Sequence, residues 1–303
     1  MSDTERGLAY TFTGQGSQRV PMWDDLRAFH LAEGIFRTAD RRLGTSLSTL
    51  CREGPIEELT RTSNAQPAIV AHSLAAFVTA IALHHEELPK PSFHLGHSVG
   101  EFTALAAAGI IDAETAVYLV RQRGLLMESV PGQMAVILGK DLEEVEDLCR
   151  QSGAEVANIN CPGQIVFSGT EEHISTALRI ADDKRARLLP VSGPFHSTLM
   201  APLRTEFRQI LDDVPFRDAI TPVILNVNAE PEIRADIIKE MLVTQLAAPV
   251  QWWKSVQYAI DHGVTTFVEF GPNDTLTGLL RRINPEVRGL AVTNYESAKS
   301  LSF

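Results

Sequence analysis

The segment Gly96-His97-Ser98-Val99-Gly100 constrains this chain more than any other. Residues 92–95 before it read as a short strand, and residues 101–108 after it are strong helix formers. A serine at that spacing between glycines, with a strand before it and a helix after it, fits the G-x-S-x-G elbow. The sharp turn lifts the hydroxyl clear of the sheet, and the flanking glycines leave room for the backbone. The start of the following helix aims N–H groups at the serine, where they can stabilise an oxyanion. Such a turn needs a sheet with helices packed on it, so an α/β fold is predicted.

The rest of the chain agrees with that fold. Residues 8–13 read as a buried strand running into the loop Gly14-Gln15-Gly16-Ser17-Gln18. Helical periodicity follows over 29–43, 68–84 and 113–127, and strands alternating with helices imply a mainly parallel sheet. From Gln133 the texture changes. Strands are expected at 134–138, 155–159, 164–167 and 186–191, with helices at 142–150 and 171–182. The order β-α-β-β-α-β is the ferredoxin-like unit. Residues 132–192 are therefore read as an inserted small subdomain, between large-domain segments 1–131 and 193–303. A late strand over 265–270 and a helix over 276–283 close the large domain.

Composition excludes several classes. The 303 residues are 44% hydrophobic and 21% charged, which fits a soluble globular protein with a sizeable core. A net charge of −11 opposes general binding to nucleic acid. The N-terminus carries Asp3, Glu5 and Arg6 and has no apolar signal core. The apolar run 68–83 is interrupted by His72, Ser73 and Thr79 and is expected to be too short to span a bilayer. Cys51, Cys149 and Cys161 are widely spaced, with no C-x-x-C pair and no Cys/His cluster for a metal. Reduced thiols in the cytoplasm are the expectation.

A serine nucleophile needs a base, and nine histidines are available. His97 adjoins Ser98, but neighbours on an elbow point apart, so it is read as a structural or pocket-lining residue. His84-His85, beside Glu86 and Glu87, reads as a solvated helix end. His196, in Ser192-Gly193-Pro194-Phe195-His196-Ser197, lies where the small subdomain rejoins the large one. Crevices between domains are common sites, which makes His196 the leading candidate.

These residues, taken in order, resemble one family. Beside the two glycine segments stand Gln66-Pro67-Ala68-Ile69, Glu101, Arg123-Gly124, Asn158-Ile159-Asn160-Cys161-Pro162-Gly163-Gln164 and Gly193-Pro194-Phe195-His196. Pro249-Val250-Gln251-Trp252 and Glu269-Phe270-Gly271-Pro272 complete the series. The chain is similar over almost its whole length to the malonyl-CoA:acyl-carrier-protein transacylases, including free-standing acyltransferases of polyketide synthases. The resemblance implies an α/β-hydrolase-like large domain with a ferredoxin-like insertion. It implies Ser98 as nucleophile and His196 as base, the latter oriented by a backbone carbonyl in the region of Gln251. Gln15 and the N–H of Val99 map onto the oxyanion hole, and Gln66 and Gln251 onto pocket positions. Arg123 maps onto the arginine that pairs with the malonyl carboxylate, a role for which a planar guanidinium is suited. Phe195, before the histidine, resembles the malonyl-selective pattern, as does Val99; Gly193 and Pro194 depart from the commonest form of it.

The implied partners are malonyl-CoA and a holo acyl carrier protein or carrier domain, with no retained cofactor, no metal, no nucleic acid, no membrane and a monomeric state. Lys184, Arg185 and Arg187, with Arg281 and Arg282, are the densest basic clusters. Two other functions compete. A proofreading acyl hydrolase needs no cation for a substrate carboxylate, and a catalytically dead docking module needs neither Ser98 nor His196.

Overall fold

The computed structural model describes residues 7–85, 88–182 and 184–303. The signal-core question for residues 1–6, and Glu86 and Glu87 beside the histidine pair, lie outside that range.

The first segment begins with β1 (Gly7–Phe12), then α1 (His30–Leu43), α2 (Leu47–Glu53), α3 (Ile56–Thr60) and α4 (Thr62–His84). It continues through β2 (Phe93–Gly96), α5 (Gly100–Ala107) and α6 (Ala113–Glu128). Helix α4 starts six residues before the expected 68, because Pro67 lies inside it and its breaker signal hid the first turns. Proline has no N–H to give the carbonyl of Ser63; Arg121 Nη1 donates to that oxygen instead, at 2.7 Å. At 23 residues α4 is long and apolar enough to cross a membrane, which overturns the argument from length. Its surroundings carry the point instead: 72% of its most apolar stretch is buried, packed against α1, α5 and α6.

The middle segment is β3 (Gln133–Leu138), α7 (Leu142–Ser152), β4 (Glu155–Cys161), β5 (Gln164–Gly169), α8 (Glu171–Ala181) and β6 (Ala186–Leu188). Its four strands pair only antiparallel, in the order β4-β5-β3-β6, which is the ferredoxin-like arrangement. The period of two sorts this sheet into faces. Ala135, Ile137, Ile165 and Phe167 pack with Val145 and Leu148 of α7 and Ile174 and Ala177 of α8. Met134, Val136, Leu138 and Val166 turn the other way, into a cavity. The last strand stops at Leu188, short of the expected 191.

The last segment holds a 3₁₀ turn (Thr198–Leu203), α9 (Arg204–Asp212), β7 (Val223–Ile224), β8 (Pro231–Glu232), α10 (Ala235–Gln245) and α11 (Trp252–Asp261). It ends with β9 (Val264–Phe270), α12 (Thr275–Ile283), β10 (Arg288–Val292) and α13 (Tyr295–Lys299). The large sheet has the order β10-β9-β1-β2-β7-β8, parallel throughout except for the edge strand β8. Both faces are covered. Tyr10, Phe12, Val268 and Phe270 pack toward α4, while Ala9, Leu95, Ile224 and Phe267 join the apolar residues of α11 and α12. The two sheets meet where Val250 and β4 exchange backbone bonds, Ile159 N to Val250 O and Val250 N to Ala157 O, each at 2.9 Å.

Candidate active site

The elbow forms because β2 ends at Gly96 and α5 begins at Gly100, leaving three residues to reverse the chain. Ser98 has φ of +51°, a left-handed conformation that costs a residue with a side chain about 1–3 kcal/mol. The glycines are required by close approach. A Cβ on Gly96 would lie 2.1 Å from the carbonyl of Gly100, and one on Gly100 would lie 2.2 Å from Phe12 O.

Ser98 Oγ is 2.7 Å from His196 Nε2. His196 Nδ1 lies 2.9 Å from the backbone oxygen of Gln245, an acceptor only, so Nδ1 carries the proton. Nε2 is then free to accept from the serine hydroxyl. The orienting carbonyl therefore belongs to Gln245, six residues before the position expected. His196 is buried, and its pKa is lowered to about 3, first by loss of water and then by the charge of Arg123. It is a neutral base at neutral pH.

Arg123 is 1% exposed. Gly124 brings α6 against α4, where a Cβ would meet Ser63 Cα at 2.8 Å, and this sets Arg123 beside Gln66. Nη1 donates to Gln66 Oε1 and Nη2 to Gln245 Oε1, both at 3.0 Å; Nη2 also lies 3.4 Å from Ser98 Oγ. Its Nε has no partner among the described residues. Burial lowers its pKa to about 10, opposed by the charge of Glu101, so it remains a cation at neutral pH. Glu128, an acid on the same helix, pairs with Arg61 at 3.7 Å. Among the described residues no carboxylate forms an ion pair with Arg123. Its direct partners are two neutral amide oxygens.

These groups open into a cavity of about 320 Å³ between the sheets. Gln15, His97 and Phe195 line it together with Ser98, Arg123 and His196. Gln15 Nε2 donates to Thr62 Oγ1 at 3.2 Å, and His97 Nε2 is 2.8 Å from Asn160 Oδ1. Val99 is fully buried at the start of α5. Gln66 reaches the site through Arg123, not as a cavity wall. Gln251 is the misplaced expectation: its backbone N–H donates to Asn226 O at 2.8 Å and its side chain is no part of the wall. The glutamine that serves the site is Gln245, also behind the wall, whose carbonyl holds His196 and whose side chain holds Arg123. His84 and His85 end α4, the first half-buried with its Nε2 2.7 Å from Ala298 O and the second exposed. Of the basic clusters, Arg187 reaches the cavity, while Arg282 donates to Gln164 Oε1 at 2.6 Å.

Residues 9–298 match the family model described as an acyl transferase domain. The malonyl CoA-acyl carrier protein transacylase of Bacillus subtilis (strain 168) is 43% identical, with 96% of this chain and 94% of the relative covered. This chain belongs to the malonyl-CoA:acyl-carrier-protein transacylase family. Solved members of the family superpose closely. The acyl-carrier-protein S-malonyltransferase of Bartonella henselae has TM-score 0.93 at 38% identity, covering 97% of this chain and 98% of that one. A malonyl-transacylase in complex with its holo type II polyketide synthase acyl-carrier protein has TM-score 0.91 at 36% identity, covering 96% and 97%. The α/β-hydrolase-like fold with its ferredoxin-like sheet is thus the family's own.

Gln245 escaped the sequence reading of this transacylase-family site for a physical reason. Its contact to His196 is made by a main-chain oxygen, which every residue possesses. The one available signal was an amide at the end of an apolar helix, directly before Leu246.

Proposed function

We propose that this protein moves a malonyl group from malonyl-CoA to the phosphopantetheine thiol of an acyl carrier protein, through an ester on Ser98. The observation that carries this reading is Arg123, a buried cation with neutral partners, 3.4 Å from Ser98 Oγ. A cation held out of water whose direct partners are neutral favours an anionic ligand, and the free carboxylate of a malonyl thioester supplies one.

In the first half-reaction His196 Nε2 takes the Ser98 proton as Oγ attacks the thioester carbonyl. The oxyanion is met by N–H groups at the start of α5 and in the loop after β1. Ser98 N–H is already bonded to Asn226, which leaves Val99 N–H as the elbow's donor. The Gln15 side chain is tied to Thr62, so Gln15 offers its backbone N–H. The intermediate collapses, His196 returns the proton to the sulfur, and coenzyme A leaves. In the second half the carrier thiol gives its proton to His196, its sulfur attacks the ester, and Ser98 leaves with the proton. Coenzyme A is a substrate carrier and not a resident cofactor; no step calls on a metal.

Residues 132–192 act in this reading as a small subdomain whose inner face covers Ser98, between large-domain segments 1–131 and 193–303. Phe195, against the malonyl methylene, sets the preference for an unsubstituted chain, a discrimination of about 1–3 kcal/mol. A monomer working in the cytoplasm completes the reading. Labelled malonyl-CoA with holo carrier protein tests it. Ser98→Ala should abolish the acyl-enzyme and transfer while the fold persists, and labelled acyl-enzyme surviving in that variant would refute the nucleophile. Free malonate as the main product would favour the hydrolase, a reading that Arg123 weighs against.

A further inference from the structure

Ser98 occupies its left-handed conformation only if its surroundings hold it there. One side chain that does not line the cavity bonds both ends of the turn. Asn226 follows β7, and it is buried. Its Oδ1 accepts from Ser98 N–H at 2.7 Å, and its Nδ2 donates to Gly96 O at 2.6 Å. One amide therefore bridges the last residue of β2 and the nucleophile. An amide is the side chain that fits, since the elbow offers a donor on one side and an acceptor on the other.

Asn226 is itself fixed. Its backbone N–H donates to Glu101 Oε2 at 2.8 Å, and its carbonyl accepts from Gln251 N–H. Glu101 is fully buried on α5, and its Oε1 has no partner among the described residues. No positively charged group forms an ion pair with it there. The charge of Arg123 also acts on this carboxyl, yet burial still raises its pKa to about 7, so keeping it in the core is costly, and the catalytic chemistry above gives it no task.

We propose that Glu101 and Asn226 form a positioning pair that locks the Ser98 elbow in register with His196. The proposal rests on Ser98 being the nucleophile. Neither residue touches substrate; both act through the backbone of Gly96 and Ser98. Loss of the bridge lets the elbow relax toward ordinary φ, and a displacement of about 1 Å from the base costs on the order of 100-fold in rate.

The test is the rate of Ser98 phosphonylation by a fluorophosphonate probe, which displaces fluoride and needs neither Arg123 nor carrier protein. Four proteins are compared, wild type, Asn226→Ala, Asn226→Asp and Glu101→Gln, with thermal melting measured on each. Asn226→Asp keeps the acceptor for Ser98 N–H but sets an oxygen against Gly96 O. Glu101→Gln keeps an oxygen for Asn226 N–H. The expected result is labelling slowed on the order of 100-fold in both Asn226 variants and within about threefold of wild type in Glu101→Gln. Binding of malonyl-CoA to folded Asn226→Ala should be unchanged, which a general loosening of the site would not allow. Folded Asn226→Asp labelled as fast as wild type overturns the proposal, and so does Glu101→Gln slowed as much as Asn226→Asp. Should Asn226→Ala not fold, the Asp and Gln variants decide alone. A wild type that is not labelled at Ser98 would instead sink the nucleophile reading.

Discussion

Replacing Arg123 with alanine separates carboxylate recognition from the rest of the chemistry. The guanidinium is 1% exposed and bonded at 3.0 Å to two neutral amide oxygens, so its charge is available to a ligand. Two unit charges about 4 Å apart attract by about 4 kcal/mol at an effective dielectric of about 20. Removing one member of a buried pair costs about 3–5 kcal/mol, because the other is left unpaired. Acylation of Ser98 by malonyl-CoA should therefore fall by a factor on the order of 10² to 10³ in kcat/KM. Acetyl-CoA has no carboxylate and meets a desolvated cation in the wild type, so its acylation should hold steady or rise. Rapid-quench measurement of acyl-enzyme from both thioesters, wild type beside variant, gives the ratio directly. Gln66 Oε1 and Gln245 Oε1 lose a donor in the variant, and Gln245 also holds His196, so a general disturbance is the alternative outcome. It would appear as an equal loss for both substrates, and that result would refute the assignment of Arg123 to the carboxylate.

Other outcomes follow from the same geometry. His196→Ala should slow acylation and transfer to the carrier thiol together, since one Nε2 serves both; single-turnover assays of each half that find one of them unaffected would require a second base. Because burial and Arg123 hold His196 well below the ordinary histidine value of 6.5, the base stays neutral as pH falls through that value. Fluorophosphonate labelling should thus remain flat down to pH 5.5, whereas a tenfold drop there would contradict the lowered pKa; in Arg123→Ala the acid limb should move upward. Gly100→Ala should lower stability by more than about 3 kcal/mol, since its Cβ would lie 2.2 Å from Phe12 O on the adjacent central strand. An unchanged melting temperature would show that the elbow is not as tightly seated as described.

What the sequence by itself determined lies in local patterns. The elbow, the strand-helix alternation and the β-α-β-β-α-β order are set by residue periodicity and glycine placement within short windows, so they could be read directly. The Ser98 elbow could be read from its local pattern, whereas Arg123 was singled out only by resemblance to the family. Helix α4 was legible only in its later turns, because a proline is normally a breaker and the rescue of the Ser63 carbonyl comes from Arg121, 58 residues away. The tertiary structure alone decided which amide and which carbonyl complete the site. Gln245 and Gln251 look alike in sequence; packing of α10 places Gln245 over Ser98 and His196, while Gln251 turns to the backbone of Asn226. Asn226 had no sequence signal, since its partners are backbone atoms of Gly96 and Ser98 about 130 residues earlier. Main-chain hydrogen bonds carry no residue identity, and long-range ones carry no spacing, so only the folded chain could reveal them.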